Sequence, residues 1–136
     1  MTIKMKPIVY GIQHVSFLVR DTGRALDFYQ GILGIPVNHA RPELGYPGAW
    51  LEIGGNQQIH LLQLPMPAPW EEQPGHGGRD RHVALLVRDL DTLQSTLEKN
   101  SIATTRSRSG RNALFCRDPD GNALEFIQIE EKEGLL

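Results

Sequence analysis

The sequence predicts an α+β fold made of two copies of one strand–helix–strand–strand–strand module joined by a short linker. Three observations lead there. The octet His14-Val15-Ser16-Phe17-Leu18-Val19-Arg20-Asp21 returns as His82-Val83-Ala84-Leu85-Leu86-Val87-Arg88-Asp89, identical at six of eight positions. An internal echo of this kind marks a duplicated structural unit. Each octet is a period-two apolar run that closes on Arg-Asp just before residues with helical spacing. The echo resumes late in each half, where Ile59-His60-Leu61-Leu62-Gln63-Leu64 aligns with Leu124-Glu125-Phe126-Ile127-Gln128-Ile129 and sets His60 opposite Glu125. The chain reads as a single domain over 1–136, with module 1 at about 8–65, a linker at 66–79 and module 2 at about 80–131.

Residues 8–20 read as a strand in which His14, Ser16 and Leu18 share one face and Val15, Phe17 and Val19 the other. Asp21 is an N-cap signal, and Ala25, Leu26, Tyr29, Ile32 and Leu33 give a helix over Arg24–Leu33 one buried stripe. Gly34 stops it and Pro36 prevents its continuation. Val37–Arg41, Ala49–Ile53 and Gln58–Leu64 read as strands, the last two joined through a hairpin turn at Gly54-Gly55-Asn56. Prolines and glycines dominate the linker, where Trp70 is a candidate anchor to the body. The second half repeats the plan. A strand over His82–Arg88 precedes a helix capped by Asp89 with a Leu90, Leu93, Leu97 stripe. Strands follow at Ile102–Arg106, Asn112–Arg117 and Ala123–Ile129, the last two separated by the turn Asp118-Pro119-Asp120-Gly121-Asn122. The charged tail from Glu130 is expected to fray.

Composition narrows the function classes. A chain of 136 residues with net charge −2 lacks the basic excess of a nucleic-acid footprint, so no nucleic-acid partner is expected. Its apolar runs are too short to span a bilayer, and no apolar h-region follows the charged N-terminus, so no membrane partner is expected and the cytoplasm is the expected compartment. The single cysteine, Cys116, excludes an intrachain disulfide and reads as a small strand residue.

Four side chains stand out because each interrupts an apolar strand: His14, His60, His82 and Glu125. A buried carboxylate is costly unless it is paired or bound to a cation. One strand histidine is ordinarily a hydrogen-bonded core or edge residue, but four such residues in symmetric register point to a shared site. Three imidazoles and a carboxylate suit a divalent transition metal, one ion per site, with open positions for water or substrate. His39 and His76 lie off the pattern and read as structural or solvent-exposed.

Further markers give these residues a family. Arg24-Ala25-Leu26-Asp27-Phe28-Tyr29 leads to Ile32-Leu33-Gly34-Ile35, and Asp118-Pro119-Asp120-Gly121-Asn122 precedes Leu124-Glu125. With the two histidine strands, these resemble the vicinal oxygen chelate superfamily in its glyoxalase I-like branch, from about Val9 to Ile129. Arg41-Pro42, Gly48-Ala49-Trp50-Leu51 and His76-Gly77-Gly78-Arg79-Asp80-Arg81-His82 are similar to small glyoxalase I-like proteins of plants and bacteria. The resemblance implies paired βαβββ modules forming a cupped, incompletely closed mixed sheet around a metal site. It carries the ligands onto His14, His60, His82 and Glu125, with Ni, Co, Zn, Mn or Fe as the ion.

The resemblance also implies a metal-dependent lyase or isomerase of the glyoxalase I type. It would act on a small molecule chelated through vicinal oxygens, with Glu125 as base and proton transfer through an enediolate. Arg41, Trp50, Arg79 and Arg111 are candidate substrate-binding residues. Two departures bear on this reading. Bacterial glyoxalase I usually has Glu where this chain has His60, and Leu18 and Leu64 stand where glutathione contacts are expected. Two rivals remain: a ferrous extradiol dioxygenase built on His14, His82 and Glu125, and a non-catalytic binding protein of the bleomycin-resistance kind. The modules pair within one chain or exchange with a partner chain, and a homodimer is expected.

Overall fold

Duplication is visible in the computed structural model, which describes residues 6–67 and 73–130. Strands β1 (His14–Leu18), β2 (Val37–Asn38), β3 (Gly48–Glu52) and β4 (Gln58–Leu62) form one four-stranded sheet in the order β1-β4-β3-β2. Strands β5 (His82–Val87), β6 (Thr105–Arg106), β7 (Ala113–Arg117) and β8 (Ala123–Gln128) form a second in the order β5-β8-β7-β6. In both, the first strand runs parallel to the last and the other pairs are antiparallel. Each module is therefore a βαβββ unit whose first strand is a free edge. Trp70 and the tail beyond Glu130 lie outside the described residues.

The helices cover one face of each sheet. Helix α1 (Thr22–Leu26) starts where the Asp21 carboxylate accepts from the Gly23 N–H, and α2 (Leu90–Lys99) where Asp89 accepts from Thr92. The first helix is not regular to Leu33 as its spacing suggests. It widens into a π-helical stretch over Asp27–Ile32, with the Leu33 N–H donating to the Phe28 carbonyl. That wider turn buries Phe28 and Tyr29 side by side. Gly34 closes it at φ +72°, a left-handed value that glycine adopts without strain. Val19, Leu51, Ile59, Leu61, Leu90, Leu97, Leu114 and Leu124 fill the core beneath the helices.

Strand β1 is shorter than the alternation of residues 8–20 suggests. Its ladder needs β4, which begins at Gln58 opposite His14. Among the described residues the preceding ones have no strand partner, and Ile8, Val9, Tyr10 and Ile12 stand exposed.

The turn between β7 and β8 ties the modules together. Tyr29 Oη donates to Asp118 Oδ2 at 2.6 Å, Asn122 Nδ2 to the Leu18 carbonyl at 3.1 Å, and Arg20 reaches Asp120 at 3.3 Å. The end of the linker is fastened to module 2. Arg117 donates to the Pro74 and Gly121 carbonyls and pairs with Asp80 at 2.8 Å, and residues Gly77–Arg79 make a short 3₁₀ turn that delivers the chain to His82.

Candidate metal centre

The face of each sheet opposite its helices carries the candidate site. On β1, β4 and β3 the register aligns Ser16, His60 and Trp50 in one row and His14, Gln58 and Glu52 in the next. On β5, β8 and β7 the matching rows are Ala84, Glu125 and Phe115, then His82, Ala123 and Arg117. His14 thus corresponds to His82 and His60 to Glu125, as the aligned strands require.

Two pairs result. In module 2, His82 Nε2 faces Glu125 Oε1 at 3.2 Å, with the Glu125 side chain only 7% exposed. His82 Nδ1 lies 2.9 Å from the Asp80 carbonyl, which can only accept, so that nitrogen carries the proton. The lone pair of Nε2 then points at a carboxylate oxygen. Two acceptors in that arrangement need a cation between them, whether a proton or a metal. Phe115 packs edge-on against His82, with 5.2 Å between ring centroids, and shields the pair.

In module 1, His14 stacks on His60 with centroids 3.9 Å apart and planes 13° from parallel, and Trp50 stacks on the other face of His60 at 4.6 Å and 10°. Gln13 Oε1 engages His14 Nδ1, leaving Nε2 free. Burial holds the His60 imidazole below its usual value, helped by His14 and by the Arg41 guanidinium, which keeps it neutral and able to donate a lone pair near neutral pH.

The four residues meet as two pairs, not as one cluster. Among the described residues no group of three or more His, Cys, Asp or Glu is placed to hold a metal ion. The cause is the placement of the free edges. A cleft of ≈ 420 Å³ lined by His14 runs along Val83–Val87, and a second of ≈ 420 Å³ lined by His82 runs along Val15–Leu18. The first strands therefore lie head to tail, with His14 and His82 at opposite ends.

Of the other candidates, Arg41 donates to the Tyr46 carbonyl at 2.9 Å and lies over the Tyr46 ring, close enough to act on His60. Trp50 is part of the stack. Arg79 and Arg111 are exposed, and among the described residues neither is hydrogen-bonded or ion-paired to the four. His76, off the sequence pattern, bonds Thr105 Oγ1 at 2.7 Å and packs on Phe115, while His39 is exposed.

Sequence reasoning passed over Glu52 and Gln58. Gln58 Nε2 donates to Glu52 Oε1 at 2.7 Å and its Oε1 sits 2.8 Å from His60 Nε2. Period-two alternation on both sides of the Gly54-Gly55-Asn56 turn was the available signal.

A larger cleft, ≈ 540 Å³, reaches Cys116 and Asp118. Burial pushes the Cys116 thiol up to about 12, and Asp118 is saturated by donors, so neither of these two side chains offers that cleft a nucleophile or base.

The comparisons agree with this duplicated architecture. Residues 11–126 match the family described as the Glyoxalase/Bleomycin resistance protein/Dioxygenase superfamily. The chain is similar to Glyoxylase I 4 of Arabidopsis thaliana, with 33% identity over 126 residues, 88% of this chain and 71% of that protein. It is 28% identical over 133 residues to the lactoylglutathione lyase of Haemophilus influenzae, covering 91% of this chain and 97% of that one. A Bacillus anthracis protein assigned to the glyoxalase family superposes with a TM-score of 0.71 at 25% identity, covering 93% and 100% of the two chains.

Proposed function

The chain belongs to the Glyoxalase/Bleomycin resistance protein/Dioxygenase superfamily, and from that premise we propose a divalent-metal-dependent lyase or isomerase of the glyoxalase I type. Its substrate would be a small molecule with two neighbouring oxygens, such as a 2-oxoaldehyde thiol adduct. The observation that carries this reading is the His82–Glu125 pair, in which an imidazole lone pair faces the oxygen of a buried carboxylate. The likeness to a glyoxylase and a lactoylglutathione lyase supports it.

The donors fit the ion. Nitrogen and carboxylate ligands suit Ni, Co, Zn, Mn or Fe, and His14 and His82 each have Nδ1 engaged, which orients the ring and leaves Nε2 to bind. When bound, the ion would act as a Lewis acid on a substrate carbonyl. Glu125 would take the proton from the carbon beside that carbonyl through Oε2, the oxygen not engaged by His82. Arg41 and Trp50 would border the substrate on the module 1 side, with Arg79 and Arg111 at the rim. Since each chain holds His14 and Glu125 in separate pairs, a complete cup would form between module 1 of one chain and module 2 of its partner in a homodimer.

The test is turnover of methylglyoxal hemithioacetal by protein loaded with each metal in turn. Glu125→Gln is expected to lower kcat by about 10²–10⁴-fold with a smaller change in KM. Full activity in that variant would remove Glu125 as the base.

One observation favours a second reading. The near-parallel His14 and His60 rings cannot aim in-plane lone pairs at the same ion. His14, His82 and Glu125 alone make the two-histidine, one-carboxylate set that suits ferrous iron and dioxygen. Oxygen uptake with a catechol under ferrous iron, without hemithioacetal turnover, would select the dioxygenase.

A further inference from the structure

We propose that His60 stays off the metal ion, held there by Glu52, Gln58 and Trp50, and serves as the wall that orients the ligand His14. This inference rests on the metal reading of the site and narrows it.

The hydrogen bonds fix which nitrogen of His60 is protonated. A carboxylate only accepts, so the end of Gln58 facing Glu52 is its NH₂ group. Asn38 Nδ2 donates to the same Glu52 oxygen and holds it in place. The Gln58 oxygen therefore faces His60, and His60 Nε2 must donate to it. That nitrogen is spent on the protein.

The remaining nitrogen, Nδ1, has its lone pair in the ring plane. His60 lies between His14 and Trp50 with planes only 13° and 10° from parallel. Planes so nearly parallel, with ring centroids 3.9 Å apart, meet far beyond the ~2.1 Å of a metal–imidazole bond. Either His14 or His60 can ligate an ion from this arrangement, not both. His14 is the residue matched by His82 in the duplicate, with Nδ1 engaged by the protein in both and Nε2 left for the ion, in His82 facing the Glu125 carboxylate. His60 has Glu125 as its counterpart and is engaged through the opposite nitrogen. One face of His14 rests on His60 and its Nδ1 is held by Gln13, so the stack and the hydrogen bond together fix the direction of Nε2.

The relay makes Glu52 and Gln58 positioning residues. ¹⁵N NMR of the metal-free protein should show His60 as the Nε2–H tautomer. Glu52→Gln, which lets the Gln58 amide turn over, should mix the two tautomers. In protein loaded with Co²⁺, two exchangeable imidazole N–H signals should carry the large contact shift of a ring bonded to the ion, from His14 and His82. His60→Phe keeps a stacking ring without a ligand and should retain Co²⁺ affinity to within about tenfold, the scale of an outer-shell change. His14→Ala should lose far more. A third contact-shifted imidazole, an Nδ1–H tautomer in the wild type, or a collapse of affinity in a folded His60→Phe variant would each overturn this inference and leave the metal reading intact. Wild-type protein that takes up no divalent ion would overturn both.

Discussion

Tyr29 and Asp118 show how single residues hold the modules together. Burial pushes the Asp118 carboxyl above its usual value, while donors from Tyr29, the Asn122 side chain, and the Asn122 and Asp120 backbone pull it back down. A raised carboxyl favours the fold most strongly below its ordinary range, and that contribution is lost as pH rises through the raised value. The Tyr29 hydroxyl limits the loss by binding the ionised form. Tyr29→Phe, nearly isosteric at a fully buried position, should cost about 1–2 kcal/mol at neutral pH in urea denaturation. Without the hydroxyl Asp118 titrates higher still, so the gap between wild type and variant should narrow as pH falls through its titration. A gap that stays constant from neutral to acid pH would mean that the hydroxyl does not act through Asp118. At this scale the sequence identified the four polar residues interrupting apolar strands. It did not show that His60 is stacked, because two rows of a pleated sheet come together only once the strand register is known.

Strand β3 shows the same dependence between elements. Gly48 opens it, and a Cβ there would meet the Leu61 carbonyl oxygen and the Arg41 guanidinium. Gly48→Ala should therefore displace both, costing about 1–3 kcal/mol in urea denaturation through overpacking. A wild-type stability would show that β3 and Arg41 can move apart freely. Order and type of the elements were legible from alternation, caps and turns. Their ends were not. The outer strands β2 and β6 are two residues long where five were expected, since an outermost strand has a neighbour on one side only. The stretch before His14 alternates like a strand but joins no ladder among the described residues. The widening of the first helix left no mark in its apolar spacing, because a π-helical turn still buries neighbouring aromatics on one side.

The molecule as a whole carries the question of where a cup can close. Duplication was readable in the doubled octet, but the direction in which the copies face each other depends on tertiary contacts, here the turn of module 2 clasped to the end of β1. That clasp sets the first strands head to tail and separates the His14–His60 pair from the His82–Glu125 pair. A dimer that completes cups across chains makes a prediction that a single-chain cup does not. A variant with His14→Ala lacks a working module 1, and a variant with His82→Ala and Glu125→Gln lacks a working module 2. Each alone should bind little metal. In a mixed dimer, one cup combines both defects, while the other joins the intact module 1 of one chain to the intact module 2 of its partner. Random reassortment of equal amounts should restore roughly a quarter of wild-type metal content, since half the dimers are mixed and half their cups are whole. Cups closed within each chain would restore none, because every chain in the mixture carries a defect. Metal content measured on the reassorted sample, with each variant alone as control, decides between the two arrangements.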